Sequence, residues 1–162
     1  AVAALNPGVD VEVIPRLLEE SELGTLLRRV DLVVDATDNY PIRYALNRAC
    51  IAAGIPLVSG AAVRSEGQVA VFDPTRGGPC YRCLYPLDEA ETALSCSDSG
   101  VLAPVVGVVG SLQAMEALKV ISGFGEPLRG RLLVLDMRTM EIRTLSLSPR
   151  EGCEDCAQLR TD

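Results

Sequence analysis

Two cysteine pairs constrain this chain more than any other feature: Cys80-Tyr-Arg-Cys83 and Cys153-Glu-Asp-Cys156. Each is a C-x-x-C, a spacing at which a tight turn points two thiolates at one metal. Two such turns supply the four sulfurs of a tetrahedral zinc site. The sequence contains no histidine, so a zinc site built from these motifs has to be all sulfur. It also has to fold the middle of the chain against the C-terminus. Two disulfides, or two unrelated redox turns, are the other ways to read the pairs. No basic stretch followed by an apolar core opens the sequence, so no secretory signal is visible. In a chain of cytoplasmic character, paired cysteines favour metal over disulfides.

At 162 residues the sequence fits a single domain spanning 1–162, long enough to bury roughly two-thirds of its unfolded surface. Aliphatic residues dominate the 48% hydrophobic share, and only 4% is aromatic. That composition suits a layered α/β core. The net charge of −7 argues against nucleic acid and anionic membranes as main partners. The apolar run from Val101 to Ile121 contains Pro104, Gln113, Glu116 and Lys119, and reads as a buried helix rather than a membrane span.

Ala1 to Pro7 looks like the last turns of a helix with nothing before it to start one, so the first part of a larger domain is expected to be absent. Val11–Pro15 reads as a short strand. Ser21–Val30 reads as a helix capped by Ser21. Asp31–Asp35 is a buried strand, Pro41–Ala53 a helix closed by Gly54, and Ile55–Gly60 another strand. This alternation is that of a parallel sheet with crossover helices. Beyond it, Gln68–Phe72, Arg131–Leu135 and Met140–Ser146 read as short antiparallel strands joined by turns. Leu84–Gly100 is a long polar loop, and loops of that length inside a compact domain are usually functional.

Asp35-Ala-Thr-Asp38-Asn39 ends a central strand and opens a helix. Ligands of open α/β sheets bind beyond the carboxyl ends of strands. A carboxylate at Asp38 can hold Mg²⁺ against a nucleotide phosphate there. The competing reading is that Thr37, Asp38 or Asn39 only caps the helix. No G-x-G-x-x-G and no G-x-x-x-x-G-K-[ST] is present, so the chain by itself shows no phosphate cradle. Gly107-Val-Val-Gly110 falls in the apolar helix, where close packing is its expected role.

Several motifs in order then resemble one family. They are Thr37-Asp38-Asn39 with Arg43, Ser59-Gly-Ala-Ala62 with Arg64 and Gly67-Gln68, and Pro79-Cys80-Tyr-Arg-Cys83. Gly100-Val-Leu-Ala-Pro104 and Gly152-Cys153-x-x-Cys156 complete the set. The chain resembles the ThiF/MoeB/HesA family, the bacterial relatives of ubiquitin-activating enzymes, over nearly its whole length. The family's glycine-rich loop and its Arg, Lys and acidic ATP ligands fall before position 1.

The resemblance implies adenylylation, with ATP, of the C-terminal glycine of a ubiquitin-like sulfur-carrier protein ending in Gly-Gly. The carrier carboxylate attacks the α-phosphate, pyrophosphate leaves, and the acyl-adenylate then accepts sulfur. Molybdopterin, thiamine and thiolated-tRNA pathways all use such carriers. The resemblance makes Asp38 the residue that holds Mg²⁺ at the phosphates and Asn39 its nucleotide-contacting neighbour. Cys80, Cys83, Cys153 and Cys156 match its structural Zn²⁺ ligands. A homodimer is expected, and a sulfur-donor protein is a further partner. Arg43 is expected to hold the strand–helix corner, whereas Arg64 either faces the carrier tail or pairs with an acidic residue.

Some family members use a cysteine in the crossover loop covalently, which makes Cys96 a candidate catalytic residue. The alternative is an incidental loop thiol: no Lys, Arg or His flanks Cys96, and Asp98 would oppose a lowered pKa. Cys50 sits among apolar residues and reads as core. Tyr81, Arg82, Glu154 and Asp155, inside the knuckles, are given no further role.

The expected fold is therefore α/β: the second half of a Rossmann-like parallel sheet, extended by antiparallel strands and carrying a four-cysteine zinc knuckle. The expected function is adenylyl transfer to a sulfur carrier in the cytoplasm. A non-catalytic module that binds a ubiquitin-fold carrier, or an inactive zinc-stapled fragment, are the other classes the sequence allows.

Overall fold

The computed structural model describes residues 1–86 and 99–160. Five strands form one sheet in the order β1-β2-β3-β4-β5: Val33–Asp35, Leu57–Val63, Glu66–Phe72, Arg131–Asp136 and Glu141–Ser146. β1 and β2 are parallel, and every later pair is antiparallel. Helices α1 (Val2–Leu5) and α2 (Glu20–Leu27) precede the sheet, and α3 (Tyr40–Ala53) crosses from β1 to β2. The single turn α4 (Tyr81–Leu84) and the long α5 (Ala103–Ser122) lie between β3 and β4. This is the mixed α/β architecture expected from the sequence, although β1 and β2 form the one parallel pair among the described residues.

The two central strands are apolar on both faces because helices cover both. Leu57, Ala70 and Phe72 point toward α3, where they meet Tyr44, Leu46 and Cys50. Val58, Val69 and Val71 alternate to the other face and meet Val105 and Val109 of α5. Cys50 is a core residue, as expected. Helix α3 has clean ends: Asn39 accepts a hydrogen bond from the Ile42 N–H at 3.1 Å, Pro41 sits in the first turn, and Gly54 closes the helix at φ 71°.

Five expectations change. Val11–Pro15 is not a strand: it pairs with no described strand, and Val11 and Val13 are 53% and 74% exposed. An alternating pattern without a partner cannot satisfy its backbone. Helix α2 is capped by Glu19 rather than Ser21, in a reciprocal box where the Glu22 carboxylate accepts from the Glu19 N–H. β1 is an edge strand with Val34 half-exposed, so it is only partly buried. Helix α5 buries Val105, Val109, Gln113 and Glu116, while Leu118 and Ile121 stay 57% and 64% exposed. Gly107 and Gly110 lie on its open side, where an added Cβ would meet nothing within 4 Å among the described residues, so close packing is not their role there. By length and composition α5 could cross a membrane, yet its sheet-facing side carries two hydrogen-bonded polar groups.

Candidate active site and metal centre

The carboxyl end of β1 is built around a buried carboxylate. Asp35 is 1% exposed. Its Oδ1 accepts from the Thr37 N–H at 2.9 Å and the Thr37 hydroxyl at 2.6 Å, and its Oδ2 accepts from Ser59 at 3.3 Å. These bonds fold the chain sharply just after the strand. Arg43, one turn into α3, closes the corner. Its Nη2 donates to the Thr37 and Gly60 carbonyls, and its Nε lies 3.8 Å from Asp35 Oδ2. A planar guanidinium can span such partners, where an ammonium could not. The expectation that Arg43 holds this corner is met.

The corner leaves Asp38 exposed at the strand end. Asn39 does two jobs. Its oxygen caps α3, and its Nδ2 donates to Asp38 Oδ1 at 3.2 Å. The capping alternative raised by the sequence is therefore realised by Asn39, while Asp38 projects free of the helix end. Both line a cavity of about 180 Å³ whose other walls include Arg43, Gln68, Tyr81 and Tyr85. Burial pushes the Tyr85 phenol up to about 12, and burial raises Tyr81 despite the opposing charge of Arg43. Both tyrosines wall the cavity. Tyr85 donates to Gln68 Oε1, and Tyr44 donates to the Tyr85 carbonyl at 2.8 Å. Sequence reasoning does not single out Tyr85 or Tyr40 for this cavity; their only signal is proximity to motifs on either side.

Arg64 sits at the β2–β3 turn with φ 54° and makes no ion pair among the described residues. Its backbone brackets the start of α5, with its N–H donating to the Gly100 carbonyl at 2.8 Å and its own carbonyl accepting from Leu102 at 2.9 Å. Cys96 lies outside the described residues.

The four knuckle cysteines converge, with all sulfurs within 4.8 Å of one another. Cys80 Sγ lies 3.8 Å from Cys83 and 3.7 Å from Cys153, and Cys83 lies 3.5 Å from Cys156. Zinc bound at about 2.3 Å to four tetrahedral sulfurs needs edges of about 3.8 Å. The donor set fits such an ion, and the cysteines are free rather than paired as disulfides. Hydrogen bonding with Cys80 holds the Cys83 thiol well below its usual range, at about 4. Burial pushes Cys156 up to about 12. A metal bound here would take all four sulfurs as thiolates, so its binding would release protons.

The residues between the ligands do have work, contrary to expectation. Arg82 bonds Asp155 at 2.9 Å and Glu154 at 2.6 Å, fastening one knuckle to the other.

A model of the ThiF family matches residues 1–155. The chain is 47% identical over 158 residues to the molybdopterin-synthase adenylyltransferase of Escherichia coli, covering 98% of this chain and 63% of that protein. It is 48% identical to the sulfur carrier protein adenylyltransferase of Thermus thermophilus, covering 94% of this chain and 58% of that protein. The Drosophila virilis adenylyltransferase and sulfurtransferase MOCS3 is 41% identical, with 97% and 35% covered. Among solved structures, Escherichia coli MccB with ATP superposes at a TM-score of 0.72 and 21% identity, over 96% of this chain and 48% of that one. That likeness concerns the fold alone. The chain spans under two-thirds of the curated relatives it matches.

Proposed function

The chain belongs to the ThiF family, and from that premise we propose that the full-length protein adenylylates the C-terminal glycine of a ubiquitin-like sulfur-carrier protein. The observation that carries this is the exposed Asp38 carboxylate, fixed over a cavity at the carboxyl end of β1. The names of the relatives support the substrate class.

In this reading the carrier's terminal carboxylate attacks the α-phosphorus of ATP, an O–P bond forms, and pyrophosphate departs. Asp38 is the residue that would hold Mg²⁺, with its orientation fixed by Asn39. When bound, Mg²⁺ supplies positive charge against the charge developing on the phosphates. Asp35, Thr37 and Arg43 keep the Asp38 turn from moving, and Arg43 also walls the cavity. The cavity between Arg43, Gln68 and Tyr85 has room for a chain without side chains, which suits a Gly-Gly tail. Cys80, Cys83, Cys153 and Cys156 hold a structural Zn²⁺ as thiolates. The working form is a cytoplasmic homodimer, and the product adenylate goes on to accept sulfur.

The test is mass spectrometry of a Gly-Gly carrier incubated with ATP, Mg²⁺ and the full-length protein. A carrier adenylate that fails to form when the Gly-Gly is deleted supports the proposal. Binding of the carrier with no adenylate, across both molybdopterin-type and thiamine-type carriers, would make the protein a non-catalytic binding module. Replacing Cys96 with Ser then separates two modes: loss of thiocarboxylate with intact adenylation marks a covalent role for that thiol.

A further inference from the structure

One amide joins α3 to both cysteine knuckles. Asn47 Oδ1 accepts from the Tyr81 N–H at 2.9 Å, inside the first C-x-x-C. Asn47 Nδ2 donates to Asp155 Oδ2 at 2.8 Å, inside the second. Asp155 is held from its other oxygen by Arg82 Nη1 at 2.9 Å. Asn47 is 2% exposed and Asp155 9%, so water competes little for these bonds.

Arg43 lies four residues before Asn47 and therefore on the same side of α3. Successive turns of one helix thus carry one grip on the Asp38 corner and one on the knuckles. Tyr81, whose N–H Asn47 holds, also packs edge-on against Tyr44 at 5.6 Å and lines the cavity beside Asp38.

We propose that Asn47 is a positioning residue that couples occupancy of the four-cysteine metal site to the placement of α3 and the Asp38 turn. Its amide can satisfy Tyr81 and Asp155 together only while the two knuckles keep their spacing. A metal shared by the knuckles fixes that spacing. Its loss lets the knuckles separate, strands one side of a buried amide, and removes the anchor at the middle of α3. The coupling holds whatever reaction the Asp38 turn serves.

The test uses the full-length protein loaded with Zn²⁺ and two readouts that do not involve turnover. The first is amide hydrogen exchange before and after zinc removal by a chelator. Residues 37–47 are expected to lose protection along with 80–85, while Val69–Phe72 keep theirs. Loss confined to the knuckles, or spread evenly over the sheet, would overturn the proposal. The second is zinc release to a chromogenic chelator by two variants. Asn47→Asp keeps the acceptor for Tyr81 but sets a carboxylate against Asp155, and should release zinc about tenfold faster or more. Asp155→Asn added to it restores a donor–acceptor pair across the gap and should return release toward the wild-type rate. Equal release from the single and double variants would show that the pair does not carry the coupling.

Discussion

Gln113 fills the space in which a side chain at position 60 would begin. A Cβ on Gly60 would meet Gln113 Cδ at 2.3 Å and its Oε1 at 2.4 Å. From that place the buried Gln113 amide donates to the Asp35 carbonyl at 2.7 Å and the Val58 carbonyl at 3.2 Å. Helix α5 thereby braces the two parallel strands at the level of the Asp38 corner, and Gly60 is the residue that makes room.

Gly60→Ala should therefore displace Gln113 and leave its amide unpaired. Overpacking and an unsatisfied buried amide each cost about 1–3 kcal/mol. Urea unfolding should show a loss of about 2 kcal/mol or more, with Gln113→Ala in the same background recovering part of it. A Gly60→Ala protein as stable as wild type would contradict this packing.

Arg43→Met should be among the most damaging single changes outside the cysteines. It leaves the buried Asp35 carboxylate without its cation and frees the Thr37 and Gly60 carbonyls. Removing one partner of a buried pair costs about 3–5 kcal/mol. Arg43→Lys should recover only part of this, since an ammonium cannot reproduce the fork. Thermal unfolding of the two variants beside wild type measures both effects.

The α2 cap should show a distinct acid response. Hydrogen bonding and charge from Arg16, with the Glu19 N–H, hold the Glu22 carboxyl at about 2, below its unfolded value. A depressed carboxyl stabilises the fold above its unfolded pKa and loses that contribution as pH falls through the folded one. The Glu19 amide resonance should be constant above about pH 5 and shift only as pH drops toward about 2. A midpoint at the ordinary carboxylate value would mean that the box does not persist in solution. Because the Arg16–Glu22 pair lies at the surface, the expected signature is fraying of α2 rather than global unfolding.

Zinc removal should lower stability through the knuckles first. Cys83→Ser and Cys153→Ser should each abolish stoichiometric zinc, because each deletes one of four ligands. Zinc content by atomic absorption would show this, and retention of one zinc per chain in either variant would exclude the four-sulfur site.

How much of this is legible in the sequence depends on the range of each signal. The cysteine pairs and Asn39-Tyr40-Pro41 encode their geometry within a few residues, and spacing alone locates them. The exposed place of Asp38 just beyond β1 is legible because the end of an apolar strand marks a ligand edge. The Asn47–Asp155 bond spans 108 positions, and no local pattern separates a buried helical asparagine from a surface one. Gln113 and Glu116 do carry a signal: they are polar residues three apart in an apolar run, which marks the face of α5 that meets the sheet. The run's apolar residues carry no such mark, so the open side of α5 reads as buried when it is not. Val11–Pro15 shows the reverse failure, a strand pattern with nothing in the described structure to pair with.

The most direct test of the central claim is ATP–pyrophosphate exchange by the full-length, zinc-loaded protein with a Gly-Gly sulfur carrier. The account predicts exchange that requires both carrier and Mg²⁺ and falls about 100-fold or more in Asp38→Ala. Exchange that proceeds undiminished in Asp38→Ala, or the absence of any exchange from the folded wild-type protein with each carrier type, would contradict it.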